Sequence, residues 1–236
     1  MPRTARVVAV GAPHHVTQRG NNRQQVFFSN AQRRYYLALL GDEADRHRLR
    51  ILGYCLMPIH IHAVVVPERQ DSMAKGFGRA HNAYARYLNK LRSRSGHLWQ
   101  NRFYSTPLQT AHLIRALRYV DRNPVRAGLV ERATEYDWSS ARAHVEGRDP
   151  AALVDPTLWR EIVPLEDWGD VLAEPPGADE EWRQRLRTAT YAGKPLGARE
   201  FVKRLETENG RSLELRGPGR PRKKLLATAA AGGRAS

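Results

Sequence analysis

Two histidines separated by a single isoleucine, His60 and His62, are the residues of this chain best placed to bind a metal ion. The β-branched run Val64 to Val66 follows them and predicts a buried strand. Side chains alternate between the faces of a strand, so both imidazoles share one face while the isoleucine points into the core. Paired imidazoles commonly bind zinc or another transition metal, whereas Mg²⁺ or Mn²⁺ requires oxygen ligands as well. Alternatively, both histidines are exposed or hydrogen-bonded on the sheet face without a ligand.

A tyrosine and an asparagine about sixty residues later could complete such a site. The stretch from Thr110 to Arg122 is predicted as a helix that begins at a threonine N-cap and ends before an Asn-Pro pair. Tyr119 and Asn123 are four residues apart and therefore lie on one helical face. The amide oxygen of Asn123 could join His60 and His62 on a metal, with the phenol of Tyr119 close by. Alternatively, the tyrosine is a half-buried core residue and the asparagine only ends the helix.

The charge of the chain predicts a polyanionic partner. The 236 residues include 39 Lys and Arg against 24 Asp and Glu, a formal net charge of +15. Nucleic acid is the first candidate and an anionic membrane surface the second. No apolar run reaches the roughly 18 residues of a membrane span and the N-terminus lacks an apolar signal core, so we expect a cytoplasmic protein. The single cysteine, Cys55, excludes an intrachain disulfide and is expected to be a core thiol.

Hydrophobic periodicity and turn residues predict the elements that must position these side chains. In chain order they are a strand at 6–19, a helix from the N-cap candidates Ser29 and Asn30 to about residue 46, strands at 49–56 and 60–66 paired as a hairpin, a helix at 72–94, a strand at 103–109 and the helix at 110–122.

Several residues near these strands have two interpretations. His14 and His15 are expected to be solvated or at the core edge, and phosphate contacts are the alternative. Trp99 and Phe103 are expected in the core, and stacking on unpaired bases is the alternative. Arg102, which lies between them, is a candidate DNA contact.

Four segments together resemble a known family of enzymes. HHVTQRGNNRQQVF, YCLMPIHIHAVVV, LWQNRFY and LRYVDRNPVRAGLVERATEYDWSSARAH occur in the order seen in single-tyrosine transposases with a His-hydrophobic-His motif. The chain most resembles the REP-associated tyrosine transposase branch. The similarity covers roughly residues 5 to 145 and is most specific in RYVDRNPVRAGLV followed by YDWSS.

This resemblance implies an α+β fold with a ferredoxin/RRM-like antiparallel sheet, helices on one face, and a helical C-terminal extension with a basic tail. It also implies that His60, His62 and Asn123 bind Mg²⁺ or Mn²⁺ and that Tyr119 is the nucleophile. Many relatives have a polar residue between the two histidines and a histidine in the segment after the tyrosine. Here Ile61 and Asp121 occupy those positions, so the resemblance does not predict which residues surround the site.

The implied activity is metal-dependent cleavage and rejoining of single-stranded or hairpin DNA through a 5′-phosphotyrosine. Relatives include monomers and dimers, of which we favour the monomer. A non-catalytic DNA-binding regulator derived from such an enzyme is the alternative, although a pure binder has no need of all four candidate site residues. A zinc hydrolase is a third interpretation, weakened by the lack of a carboxylate base like that in HExxH.

The chain is predicted to divide into a transposase domain at 1–145, a linker or wrap with short helices at 146–178, a small helical element at 179–215 and a basic disordered tail at 216–236. The helical element could be a DNA-binding or bridging element, or it could simply pack on the core. The tail sequence RGPGRPRKK resembles an AT-hook that inserts arginine into the minor groove. The alternative is a disordered basic tail that binds DNA only nonspecifically. Its candidate DNA contacts are Arg216, Arg220, Arg222, Lys223 and Lys224.

Overall fold

The computed structural model describes residues 5–163, 167–173 and 180–215 and contains a four-stranded sheet at its centre. The strands are β1 (His14–Arg19), β2 (Leu49–Met57), β3 (His60–Pro67) and β4 (Tyr104–Pro107). Their order in the sheet is β2-β3-β1-β4, and every neighbouring pair is antiparallel. The helices are α1 (Asn30–Arg46), α2 (Ser72–Leu91), α3 (Leu113–Asp121), α4 (Asn123–Arg126), α5 (Ala141–Glu146), α6 (Pro156–Ile162), α7 (Trp168–Ala173), α8 (Glu180–Ala192) and α9 (Arg199–Asn209).

The predicted hairpin of β2 and β3 is confirmed, whereas the first strand is shorter than expected. β1 begins at His14 rather than at Arg6. Gly11 adopts a φ of +75°, and Pro13 has no N–H group to offer a neighbouring strand. The chain therefore turns before it enters the sheet between β3 and β4.

Helices cover both faces of the sheet. One face carries Ile61, Ala63 and Val65 of β3 and packs against α1 and α2. The other carries Val64 and packs against α3 and the later helices α6, α7 and α8. The predicted α+β class and antiparallel sheet are confirmed, and the C-terminal extension supplies much of the second helical layer.

The aromatic pair near β4 belongs to the core. Phe103 is buried beside Phe77, and Trp99 is partly buried with its indole N–H donating to the carbonyl oxygen of His81 at 3.0 Å. Core packing, the expected interpretation, is therefore observed. Cys55 is buried and free, also as expected.

The predicted helix at 110–122 consists of a 3₁₀ turn at Thr110–His112 and the helix α3. α3 ends at Asp121, so the predicted stop before the Asn-Pro pair is confirmed. The sequence did not predict that a new helix, α4, begins at Asn123. Pro124 has no N–H group for a continuing helix but is well suited to the first turn of a new one, so the chain restarts there.

The helices after residue 155 pack onto the rest of the chain. Leu158, Trp168, Trp182 and Leu186 are buried in the core beneath α3. α9 packs against the segment before β1. Both helices of the pair α8 and α9 thus contribute buried residues, which fits the core-packing interpretation. The predicted boundaries at 145, 178 and 215 stay predictions.

No helix within the described ranges is long and apolar enough to cross a membrane.

Gly53 in β2 allows the close approach of α3 and α5 to the sheet. A Cβ atom there would lie 2.9 Å from Leu117 Cδ2, 3.1 Å from Ser140 Oγ and 3.2 Å from His144 Cε1. We expect Gly53→Ala to lower the free energy of unfolding by about 1–3 kcal/mol, measured by urea denaturation.

Gly78→Ala in α2 is the matched control, because apart from the adjoining backbone of the helix no described heavy atom lies within 4 Å of a Cβ atom at that position. It should leave stability unchanged or raise it by up to about 1 kcal/mol. Equal effects of the two substitutions would contradict the packing argument.

Candidate active site

Three histidines meet on the sheet face that α3 covers. His60 and His62 follow the predicted alternation on β3, and their ring centroids are 5.0 Å apart. The ring of His15, from β1, stacks on His62 with centroids 5.1 Å apart and planes 18° apart. His15 is fully buried rather than solvated or at the core edge, and its position along the chain had not indicated that it lies beside the site.

Tyr119 on α3 contacts this histidine cluster from above the sheet. Its ring packs edge-on against His62 at 5.4 Å and against His15 at 5.6 Å. The tyrosine and the histidines belong to the same chain. Burial raises the pKa of the Tyr119 phenol, and the Arg126 guanidinium opposes that shift.

Arg126 on α4 connects the tyrosine to the asparagine. Its guanidinium lies 4.4 Å from the centroid of the Tyr119 ring, and Nη2 donates to Asn123 Oδ1 at 2.8 Å. A carbonyl oxygen has two lone pairs, so Asn123 Oδ1 can accept this bond and still bind a cation. Arg126 thus links the tyrosine to the asparagine across the helix break at Arg122.

The residues predicted to bind a metal have the properties of metal ligands. Burial lowers the pKa of His60 to about 4 and that of His62 well below its usual value, so both imidazoles are neutral and retain a lone pair. His60 Nδ1 and Asn123 Nδ2 are buried without a hydrogen-bond partner in the described part of the chain. Within the same residues no group of three His, Cys, Asp or Glu side chains is arranged to hold a metal ion. A set of two imidazoles and an amide oxygen does not require such a group.

Arginines surround the histidines and the tyrosine. Arg19, Arg126 and Arg187 all contribute to lowering the pKa of His60. Arg187 and Arg183 also act to lower the pKa of Tyr119, against the effect of burial. α8 contributes two of these cations. The positive potential suits a phosphate group beside the tyrosine.

Arg102, the candidate DNA contact that falls within the described residues, lies at a cleft separate from the histidines and Tyr119. It is exposed, and three further cations line the same cleft: Arg6, Lys194 and Arg211. Tyr191, also exposed, forms part of the wall. Cations beside an aromatic ring could hold a nucleic-acid strand. The tail candidates Arg216, Arg220, Arg222, Lys223 and Lys224 lie outside the described residues.

Asp121, which stands where many relatives have another residue, is the centre of a buried polar network. Its Oδ1 accepts from Ser140 Oγ at 2.7 Å, and its Oδ2 accepts from Trp168 Nε1 at 2.9 Å and from His144 Nδ1 at 2.6 Å. His144 Nε2 donates to the carbonyl oxygen of Leu52 at 2.7 Å. Both ring nitrogens of His144 are therefore hydrogen-bonded, and His144 and Asp121 form a fully buried pair. The network fixes the end of α3 to α5 and α7.

A tyrosine on a helix that packs against paired histidines of an antiparallel sheet is an arrangement suited to a DNA-processing enzyme of the transposase class. Residues 10–123 match the family model described as IS200-like transposase. The matched segment contains His60, His62, Tyr119 and Asn123, and the match confirms the predicted resemblance to these transposases. It supports a DNA transposase function in general.

Among solved structures, the fold is similar to that of a REP-associated tyrosine transposase bound to a REP hairpin. The TM-score is 0.51 at 19% identity, over 59% of this chain and 82% of the other. A provisionally assigned transposase from Deinococcus radiodurans R1 gives a TM-score of 0.36 at 16% identity, over 51% of this chain and 96% of that protein. No curated protein matches the chain.

Proposed function

We propose that this protein cleaves and rejoins single-stranded DNA beside a hairpin through a phosphotyrosine intermediate. Tyr119 is the nucleophile, and His60, His62 and Asn123 hold a divalent metal ion. The observation that carries the proposal is the packing of the Tyr119 ring on His62, with Asn123 joined to the tyrosine through Arg126. A structural tyrosine has no need of two neutral imidazoles and a cationic surrounding.

The proposed reaction exchanges one phosphodiester bond for another. Tyr119 Oη attacks the scissile phosphorus, the Oη–P bond forms, and the bond from phosphorus to the 3′ oxygen breaks. The phenol loses its proton and the departing 3′ oxygen gains one. The products are a 5′-phosphotyrosine and a free 3′-hydroxyl, and a second 3′-hydroxyl reverses the step without ATP because the bond energy is retained.

The chain's own groups contribute position and charge. The arginines near Tyr119 attract the phosphate and favour the phenolate over the phenol. His60 and His62 stay neutral in this positive surrounding and keep their lone pairs. A Mg²⁺ or Mn²⁺ ion held by His60, His62 and Asn123 would supply Lewis-acid charge to the scissile phosphate.

The substrate and the assembly are further parts of the proposal. The similar solved structure is bound to a REP hairpin, and the net charge of +15 fits a nucleic-acid partner. Arg102 and the cations of the tail are proposed DNA contacts that give salt-dependent affinity rather than sequence specificity. Because one chain brings the tyrosine to its own histidines, the arrangement supports a monomer acting in cis.

The test is a labelled single-stranded hairpin from beside the gene, incubated with Mg²⁺, Mn²⁺ or EDTA and separated on a denaturing gel. We expect a protein–DNA adduct with either metal and none with EDTA. His60→Ala should lower the rate of adduct formation by at least about 100-fold, because a metal contributes several kcal/mol to such a step.

His47→Ala is the control for the loss of an imidazole. His47 lies 3.2 Å from the Glu43 carboxylate at the end of α1, on the opposite face of the sheet. Its substitution should leave the rate within about twofold, since it removes no group near phosphorus. Hairpin binding without adduct under all metal conditions would support the regulator interpretation instead.

A further inference from the structure

We propose that His15 and Thr190 are positioning residues that orient His62 as a metal ligand and so couple helix α8 to the metal site. This inference rests on the metal site of the proposed function. Thr190 lies outside the matched residues 10–123, so the family model does not assign it.

A chain of three hydrogen bonds carries the inference. The Thr190 hydroxyl donates its proton to the carbonyl oxygen of Leu186 at 2.7 Å, one turn earlier in α8. Its oxygen can therefore only accept from His15 Nδ1, which lies 2.8 Å away. His15 Nε2 in turn lies 2.9 Å from His62 Nδ1.

The direction of the first bond determines all the others. The ring of His15 is fully buried, and its two nitrogens face a hydroxyl and an imidazole rather than a carboxylate, so the ring is neutral. With its proton on Nδ1, the ring has a lone pair on Nε2 and must accept from His62 Nδ1–H. A neutral His62 that donates from Nδ1 has its own lone pair on Nε2. Within the described residues, the hydrogen bonds of the His62 ring involve Nδ1 alone.

Without Thr190 this polarity is not fixed. A neutral imidazole pair can reverse, with His15 donating from Nε2 and His62 accepting at Nδ1. The proton of His62 would then lie on Nε2, which could no longer bind a cation. The stacking of the two rings, 18° from parallel, holds their orientation but does not select the tautomer.

Metal-binding histidines usually donate their second N–H to a carboxylate, a carbonyl or water, and loss of that partner typically weakens metal affinity about 10–100-fold. Here the partner is a buried neutral imidazole, itself directed by a hydroxyl of α8. Helix α8, in the C-terminal third of the chain, thereby sets the tautomer of His62 on β3 through His15.

The test uses the full-length protein and two measurements. In the metal-free protein, long-range ¹H–¹⁵N NMR of the imidazoles should show the proton on Nδ1 of both His15 and His62. Thr190→Val, which keeps the side-chain shape and removes the hydroxyl, should give a mixture of tautomers at His62. Titration with Mn²⁺ followed by electron paramagnetic resonance should show affinity lowered by about 10–100-fold in this variant. Thr190→Ser should restore both.

Thr207→Val is the matched control. Thr207 Oγ1 donates to the Lys203 carbonyl oxygen one turn earlier in α9, the same local bond as in Thr190, but no described residue connects it to a histidine. Its Mn²⁺ affinity should equal that of the wild type.

Two variants of His15 provide an independent test if Thr190→Val does not fold. His15→Gln keeps an acceptor oxygen for His62 and should retain Mn²⁺ affinity better than His15→Leu, which removes it. Unchanged tautomers and Mn²⁺ affinity in Thr190→Val, or equal affinities of the two His15 variants, would overturn the orienting role. A wild type that binds no Mn²⁺ would instead overturn the proposed metal site itself, so the two failures are distinguishable.

Discussion

Tyr119→Phe should abolish the covalent protein–DNA adduct and lower strand cleavage by at least about 10³-fold, because removal of a nucleophile eliminates the group that forms the new bond. The phenyl ring can keep the edge contact with His62 and the contact with the Arg126 guanidinium. Stability and hairpin affinity should therefore stay near the wild-type values. The adduct is measured on denaturing gels with Mg²⁺ or Mn²⁺, and affinity is measured separately by fluorescence anisotropy.

Tyr35→Phe is the control for loss of a phenol. Tyr35 is 40% exposed on α1 and packs against Tyr87, on the far side of the sheet from the histidines. This variant should form adduct at the wild-type rate. An adduct that persists in Tyr119→Phe would show that another residue is the nucleophile, and it would refute the central assignment of the proposed function.

Asp121→Ala should lower the free energy of unfolding by about 3–5 kcal/mol, because it leaves several buried donors without their acceptor. The side chain is fully buried and hydrogen-bonds to Ser140, His144 and Trp168. Its loss leaves the imidazole of His144 and the indole N–H of Trp168 without their partner. Urea denaturation followed by circular dichroism measures the change.

The comparison variant is Asp137→Ala, which removes a carboxylate that pairs with Arg142 at 3.1 Å. The side chain of Asp137 is 64% exposed, so water screens the pair and its loss should cost no more than about 1 kcal/mol. A similarly small effect for Asp121→Ala would show that the network at the end of α3 contributes little to stability.

Local sequence patterns were sufficient for the strand that carries the metal-binding candidates. The alternation of His60, Ile61 and His62 is a property of any extended chain, and Ile61 is 1% exposed in the core as expected. Ser29 was one of two N-cap candidates for α1, and its side chain accepts from the backbone N–H of Gln32. Predictions of this kind succeed because they depend on neighbours within a few residues.

The end of the helix that carries Tyr119 was predicted correctly, but the short helix that follows it was not. The Asn-Pro pair stops α3, but the same proline begins α4. The sequence separation of Tyr119 and Asn123 nevertheless predicted that these two residues lie close together. The contacts of Arg126 with both residues could not be predicted, because they depend on how the chain turns between α3 and α4.

Residue patterns along the chain were enough to predict the family resemblance, the α+β class and the four candidate residues, since each prediction rests on local patterns or on motif order. Only the tertiary structure brought His15 beside His62, because the register of β1 against β3 joins residues 47 positions apart. It also placed Thr190 of α8 against His15, 175 positions away, and Asp121 against His144. Such contacts depend on how separate elements pack around a shared core, and spacing along the chain contains no record of that packing.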